Sequence, residues 1–89
     1  APQEERRAKA ETRASLSALR KKIEGLEAQM ARYGELIAKA DSILAAPDTF
    51  AKNPEKAQQI AKDRAALADR LAETEEAWLD ASGEMEAAG

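Results

Sequence analysis

"PDTFAKNPEK", residues 47–56, is the stretch whose reading decides the fold. It holds two of the three prolines, Pro47 and Pro54, and separates two segments patterned in heptads. Pro47 stops the helix before it, because a proline pushes the preceding residue out of helical geometry. Asp48 then offers a cap for a single turn from Thr49 to Lys52, with Phe50 as its apolar anchor. Asn53 is a good N-cap, Pro54 takes the favoured first helical position, and Glu55 complements the helix dipole. A flexible linker would be rich in Gly and Ser and would not carry stop, cap and start signals in order. The stretch reads as a built turn that reverses the chain.

The flanking patterns supply two faces for such a turn to bring together. Before it, Leu16, Leu19, Ile23, Leu26, Met30, Tyr33, Ile37, Ala40 and Leu44 recur in steps of three and four, the a/d seam of a coiled coil. After it the pattern resumes at Ala57, Ile60, Arg64, Leu67, Leu71, Thr74, Trp78, Ala81 and Met85. No period-two run marks a strand. The fold class is therefore all-α, a two-helix antiparallel coiled-coil hairpin, with helices over about 5–45 and 54–87 and a turn over 46–53. The first few residues and Gly89 are expected to fray, since nothing apolar ties them down. Gly34, beside the seam, is the expected site of a local helix irregularity.

Charge fits the same topology. Residues 1–22 carry seven basic and three acidic side chains, whereas residues 73–89 carry six acidic and none basic. An antiparallel hairpin joins these ends, whereas a parallel pair of rods stacks like on like. Pairing positions that sum to about 97 sets Ile37 on Ile60, Met30 on Leu67, Leu26 on Leu71 and Leu19 on Trp78. The same register puts Arg20 beside Glu75 and lays the Arg64 guanidinium over the Tyr33 ring. The alternative lies one heptad further on and brings Glu27 towards Glu75.

Composition narrows the function. Eighty-nine residues make one small domain, and alanine supplies over half of its 44% apolar content. Charged residues make up 35% and only 3% are aromatic, the composition of long helices rather than a thick core. With no cysteine and no histidine, thiolate nucleophiles, the usual zinc ligands and imidazole acid–base chemistry are excluded. There is no phosphate-binding loop, no calcium-loop spacing, and no apolar pocket to raise a carboxylate pKa. Trp78, Met30 and Met85 read as core. The chain is expected to have no catalytic or metal site and to hold no cofactor of its own. No apolar run approaches a membrane span, and a cysteine-free chain fits a reducing cytoplasm. A start at Ala1 rather than methionine is expected of a piece of a longer protein.

Pro47, Asp48, Phe50, Asn53, Pro54, Lys56, Arg64, Leu67, Leu71, Glu75, Trp78 and Leu79 carry a resemblance. Together with the lead-in "ERR" at residues 5–7 and "LRKKIEGLE" at residues 19–27, they resemble the C-terminal coiled-coil domain of ABC-F ATPases of the Uup type. Phe50 stands where tyrosine is common in that family. The resemblance implies a monomeric hairpin behind two nucleotide-binding cassettes, which would hold ATP and Mg. It also implies DNA binding by the hairpin, in a wider family that acts on ribosomes.

Residue chemistry supports that implication in part. The net charge of −3 and pI of about 5.0 are not those of a basic binding domain. Arg6, Arg7, Lys9, Arg13, Lys21 and Lys22 nevertheless gather positive charge at one end, and Lys52, Lys56 and Lys62 lie near the turn. For the first group the bland account is pairing with the acidic end of the second helix. For the second it is a solvated face. With Tyr33 and Trp78 in the seam no aromatic is left to stack on bases, so binding to DNA or ribosomal RNA is expected to be weak and phosphate-directed. The competing expectation is a protein-interaction arm that docks on its own ATPase cassettes or on the ribosome.

Overall fold

Pro47 and the Asn53–Pro54 pair divide the described chain, residues 2–88 of a computed structural model, into three helices. These are α1 over Pro2–Ala45, the single turn α2 over Thr49–Lys52, and α3 over Pro54–Ala88. Among the described residues there is no strand, and α1 packs along α3 to form an all-α hairpin of 75 × 16 × 14 Å. Helix α1 already begins at Pro2, so Pro2 to Glu4 are helical rather than frayed. Proline is pre-shaped for a first helical position, and Glu4 and Glu5 in the first turn complement the dipole. Ala1 and Gly89 lie outside the described residues. The irregularity expected at Gly34 is absent: α1 runs through it without a positive φ.

The turn is closed by backbone and side-chain bonds in sequence. The Ala46 N–H donates to the Ile43 carbonyl at 3.2 Å, and the Thr49 N–H to the Ala46 carbonyl at 3.2 Å. The Thr49 hydroxyl adds a 2.6 Å bond to the Ile43 carbonyl, satisfying one of the acceptors that a helix end leaves open. Asn53 is an N-cap in fact, its Oδ1 accepting from the Lys56 N–H at 3.2 Å. Asp48 is not a cap. It has helical φ and ψ (−94°, −6°) instead of the extended geometry that aims a cap inward, and its carboxylate meets Lys52 Nζ at 3.4 Å. Phe50 does not anchor the turn either, being 52% exposed. In a one-turn helix the half-buried Thr49 takes the inward side, which leaves its neighbour about 100° away facing out. The fully buried residue at this corner is Ala57, in the first turn of α3 against which α2 packs.

Every seam position named from the heptads is buried or half-buried, and Leu36, Ala61, Ala68, Ala77 and Ser82 join them. The buried set is small: Ala40, Ala57, Thr74 and Ala81. Two helices alone cannot surround a large side chain, so the larger residues cover the seam from its edges while small ones let the backbones approach. Thr74 is accommodated because its hydroxyl donates to the Arg70 carbonyl at 2.7 Å. Trp78 lies in the seam with its indole Nε1 buried and without a hydrogen-bond partner among the described residues.

The register differs from the preferred expectation. Arg64 does not lie over Tyr33. Its Nε and a terminal nitrogen donate to Asp41 at 2.5 and 3.3 Å, about two turns nearer the hairpin's closed end. At the far end Glu84 shares a shallow cleft with Ser15, Ala18, Leu19 and Lys22, whereas the expected register set Trp78 against Leu19. The helices are thus slid by about one heptad, to the alternative register. Two causes act together. A charge-assisted fork to a carboxylate is stronger than a cation over a half-exposed ring. In addition, residues 46–53 stand between the two long helices, and α2 within them packs on α3.

Filling the Ala57 position tests this corner. Ala57→Leu has no space to enter and is expected to cost about 1–3 kcal/mol, lowering the midpoint of thermal unfolding followed by circular dichroism. An unchanged midpoint would mean that Ala57 is not tightly enclosed. Acid tests the brace between the helices. The hydrogen bond from Arg64, then its charge, hold the Asp41 carboxyl below its ordinary 3.8, and the same partnership raises Arg64. A depressed carboxyl stabilises the fold above its unfolded value, and that contribution is lost as pH falls through the folded one. The unfolding midpoint should therefore drop more steeply below about pH 4 in the parent than in Asp41→Asn. Parallel curves would show that the pair stabilises nothing.

Candidate nucleic-acid interface

The shifted register decides the surroundings of the basic end. One turn past Glu84, α3 ends at Ala88, while α1 continues to Pro2 with every residue from Pro2 to Ser15 exposed. This overhang is a single helix about 20 Å long at a 1.5 Å rise per residue. It remains helical because it extends a helix already nucleated and packed, and elongation needs no new nucleus. Its sequence also suits a lone helix, with Ala8, Ala10 and Ala14 and no large apolar side chain. The Thr12 hydroxyl folds back onto the Ala8 carbonyl at 2.9 Å, beside a shallow concavity lined by Ala8, Lys9, Thr12 and Arg13.

Arg6, Arg7, Lys9 and Arg13 stand together on the overhang. Lys21 and Lys22 are exposed on the paired part of α1, and Lys22 borders the cleft that holds Glu84. The ion pairs among the described residues are Arg32–Glu35, Lys52–Asp48 and Arg64–Asp41. None of the six basic residues at this end takes part in one. Arg20 is exposed and does not reach Glu75, because the slid register sets Glu84 rather than Glu75 near its level, and it pairs with neither. It thus stands as a further free cation, one the heptads could have revealed: Arg6, Arg13 and Arg20 recur at intervals of seven.

Near the turn, Lys52 is tied to Asp48, while Lys56 and Lys62 make no ion pair among the described residues. Phe50 at 52% and Ile43 at 45% leave apolar surface here, and Leu79 at 62% leaves more on α3. An exposed aromatic is therefore present after all, at the opposite end from the overhang. No cluster of acidic, His or Cys side chains among the described residues could hold a metal ion. No described helix is long and apolar enough to cross a membrane.

The family model for the ABC transporter C-terminal domain matches residues 11–82. The chain belongs to that family. No curated protein and no solved structure matches it. The matched span of the ABC transporter C-terminal domain covers the turn, the seam from Leu16 to Ala81 and the cations from Arg13 to Lys22. Arg6, Arg7 and Lys9 fall before it, on the outermost turns of the overhang.

Proposed function

We propose that this ABC transporter C-terminal domain is an accessory nucleic-acid-binding module of a Uup-type ABC-F ATP-binding protein in the cytoplasm. The observation that supports this most is the absence of intramolecular partners for Arg6, Arg7, Lys9, Arg13, Lys21 and Lys22 among the described residues. Cations held by the acidic end of α3 would have been spoken for; these are exposed on a helix that stands partly alone. Binding to DNA or ribosomal RNA through them is phosphate-directed, tolerant of sequence and steeply salt-dependent. ATP and Mg act in the parent's cassettes, and the hairpin contributes affinity for the polymer rather than chemistry.

A second reading, a protein-interaction arm for the cassettes or the ribosome, draws on Phe50, Ile43 and Leu79. Single exposed apolar residues are ordinary on a protein surface, so it ranks below the first.

Titration of a labelled DNA duplex separates the two. If about four phosphates are neutralised, affinity falls roughly a hundredfold between about 50 and 200 mM salt. Arg6→Glu, Arg7→Glu, Lys9→Glu and Arg13→Glu together should abolish binding with helix content unchanged, and neutralising Lys52, Lys56 and Lys62 should do less. A quadruple variant that binds like the parent, or binding indifferent to salt, would transfer the case to protein docking.

A further inference from the structure

The seam repeats every seven residues, so a second alignment of the helices lies one heptad away, about 10 Å along the axis. In the observed alignment Arg64 is forked to Asp41, and Glu84 shares a cleft with Leu19 and Lys22. Glu75 and Glu76 then lie level with about Gln29 and Ala28, short of the cations. Slid by one heptad, α3 would set Glu75 and Glu76 level with about Lys22 and Lys21, and Glu84 with about Arg13. Arg20 would gain Glu75 as a neighbour on the flank of the seam. The acidic half of α3 would then cover cations that the observed alignment leaves exposed and unpaired among the described residues.

Each alignment has interactions in its favour. The second separates Glu27 from Glu75, a like-charge approach in the first, and keeps seam partners such as Met30 on Leu67 and Leu19 on Trp78. It also breaks the Arg64–Asp41 fork and carries Leu44 and Met85 past the last large seam residues of the opposite helix. Residues 46–53 do not forbid the slide. Helix α2 is a single turn, and a connection of this length reaches about 26 Å when extended, against about 8–10 Å between packed helices. We propose that the hairpin visits this second register and that the fork, about 30 Å from Arg20, holds it in the first, where the cations stay open to phosphate. Opening the fork slides the acidic half of α3 over Arg13, Arg20, Lys21 and Lys22 and weakens binding there. Phosphate at these cations favours the fork in return, because coupling between two sites is reciprocal. The masking rests on the nucleic-acid reading; the slide does not.

Disulfide trapping tests it, since the chain has no cysteine of its own. Gly34→Cys with Ala68→Cys bridges the observed register, at a glycine with open space around it, and Gly34→Cys with Ala61→Cys bridges the second. In a glutathione redox buffer the first pair is expected to close quickly and the second slowly. Asp41→Ala removes the fork and leaves the seam intact. It should speed closure of the second pair about two- to fivefold, the scale of an exposed ion pair, with helix content by circular dichroism unchanged. Saturating DNA duplex should slow that closure again. Fluorescence anisotropy on a labelled DNA duplex then compares the two bridged forms, and the second is expected to bind about tenfold more weakly. Closure of the second pair that Asp41→Ala leaves unchanged, or equal affinity of the two bridged forms, would overturn the register device and leave the nucleic-acid reading standing. Failure of the parent and both bridged forms to bind would overturn that reading and the masking together.

Discussion

Ala57 has no exposed surface, the tightest point of the closed end of the hairpin. It sits in the first turn of α3, the turn that Asn53 caps and against which α2 packs. A larger side chain there has no space to enter without moving its neighbours. Ile43 and Ala46 at the end of α1 border a shallow cleft with Lys56 and Ile60 of α3. Arg64 then finds Asp41, and the opposite ends of the helices no longer coincide.

The seam transmits that offset because it is thin and regular. Ala40, Ala57, Thr74 and Ala81 are enclosed, and the larger residues lie along the edges half-exposed. A seam of this kind holds register less through any one large side chain than through the repeat itself, which fits equally well one heptad away. A directional contact must choose between the two, and the fork between Arg64 and Asp41 is the one ion pair joining α1 to α3 among the described residues. Asp41 is exposed and Arg64 only half-buried, so the fork specifies alignment more than it stabilises.

The hairpin was legible in the sequence because its signals are local. Pro47, Asn53 and Pro54 mark the reversal, and the seam residues from Leu16 to Leu44 and from Ala57 to Met85 follow from spacing. The register was not legible, since heptad repeats are degenerate by whole heptads and the space taken by α2 is a tertiary fact. From that single slip followed the expectations of Arg20 beside Glu75 and Arg64 over Tyr33. Asp48 and Phe50 were misjudged for a different reason: cap and anchor roles depend on the φ, ψ and facing of a four-residue helix, which residue type does not fix. The basic cluster was legible as composition; its freedom from the acidic end of α3 was not.

Amide hydrogen exchange, read residue by residue by NMR, tests most directly whether α1 outruns its partner. Backbone bonds sheltered by a packed helix open mainly with the fold, whereas those of a lone helix open locally and often. Strong protection is expected from about Leu16 to Leu44 and weak protection from Arg6 to Arg13, in a segment that NMR chemical shifts still report as helical. Protection continuing undiminished to Arg6 would contradict it, since that requires a neighbour along the basic end and removes the free helix on which the functional reading stands.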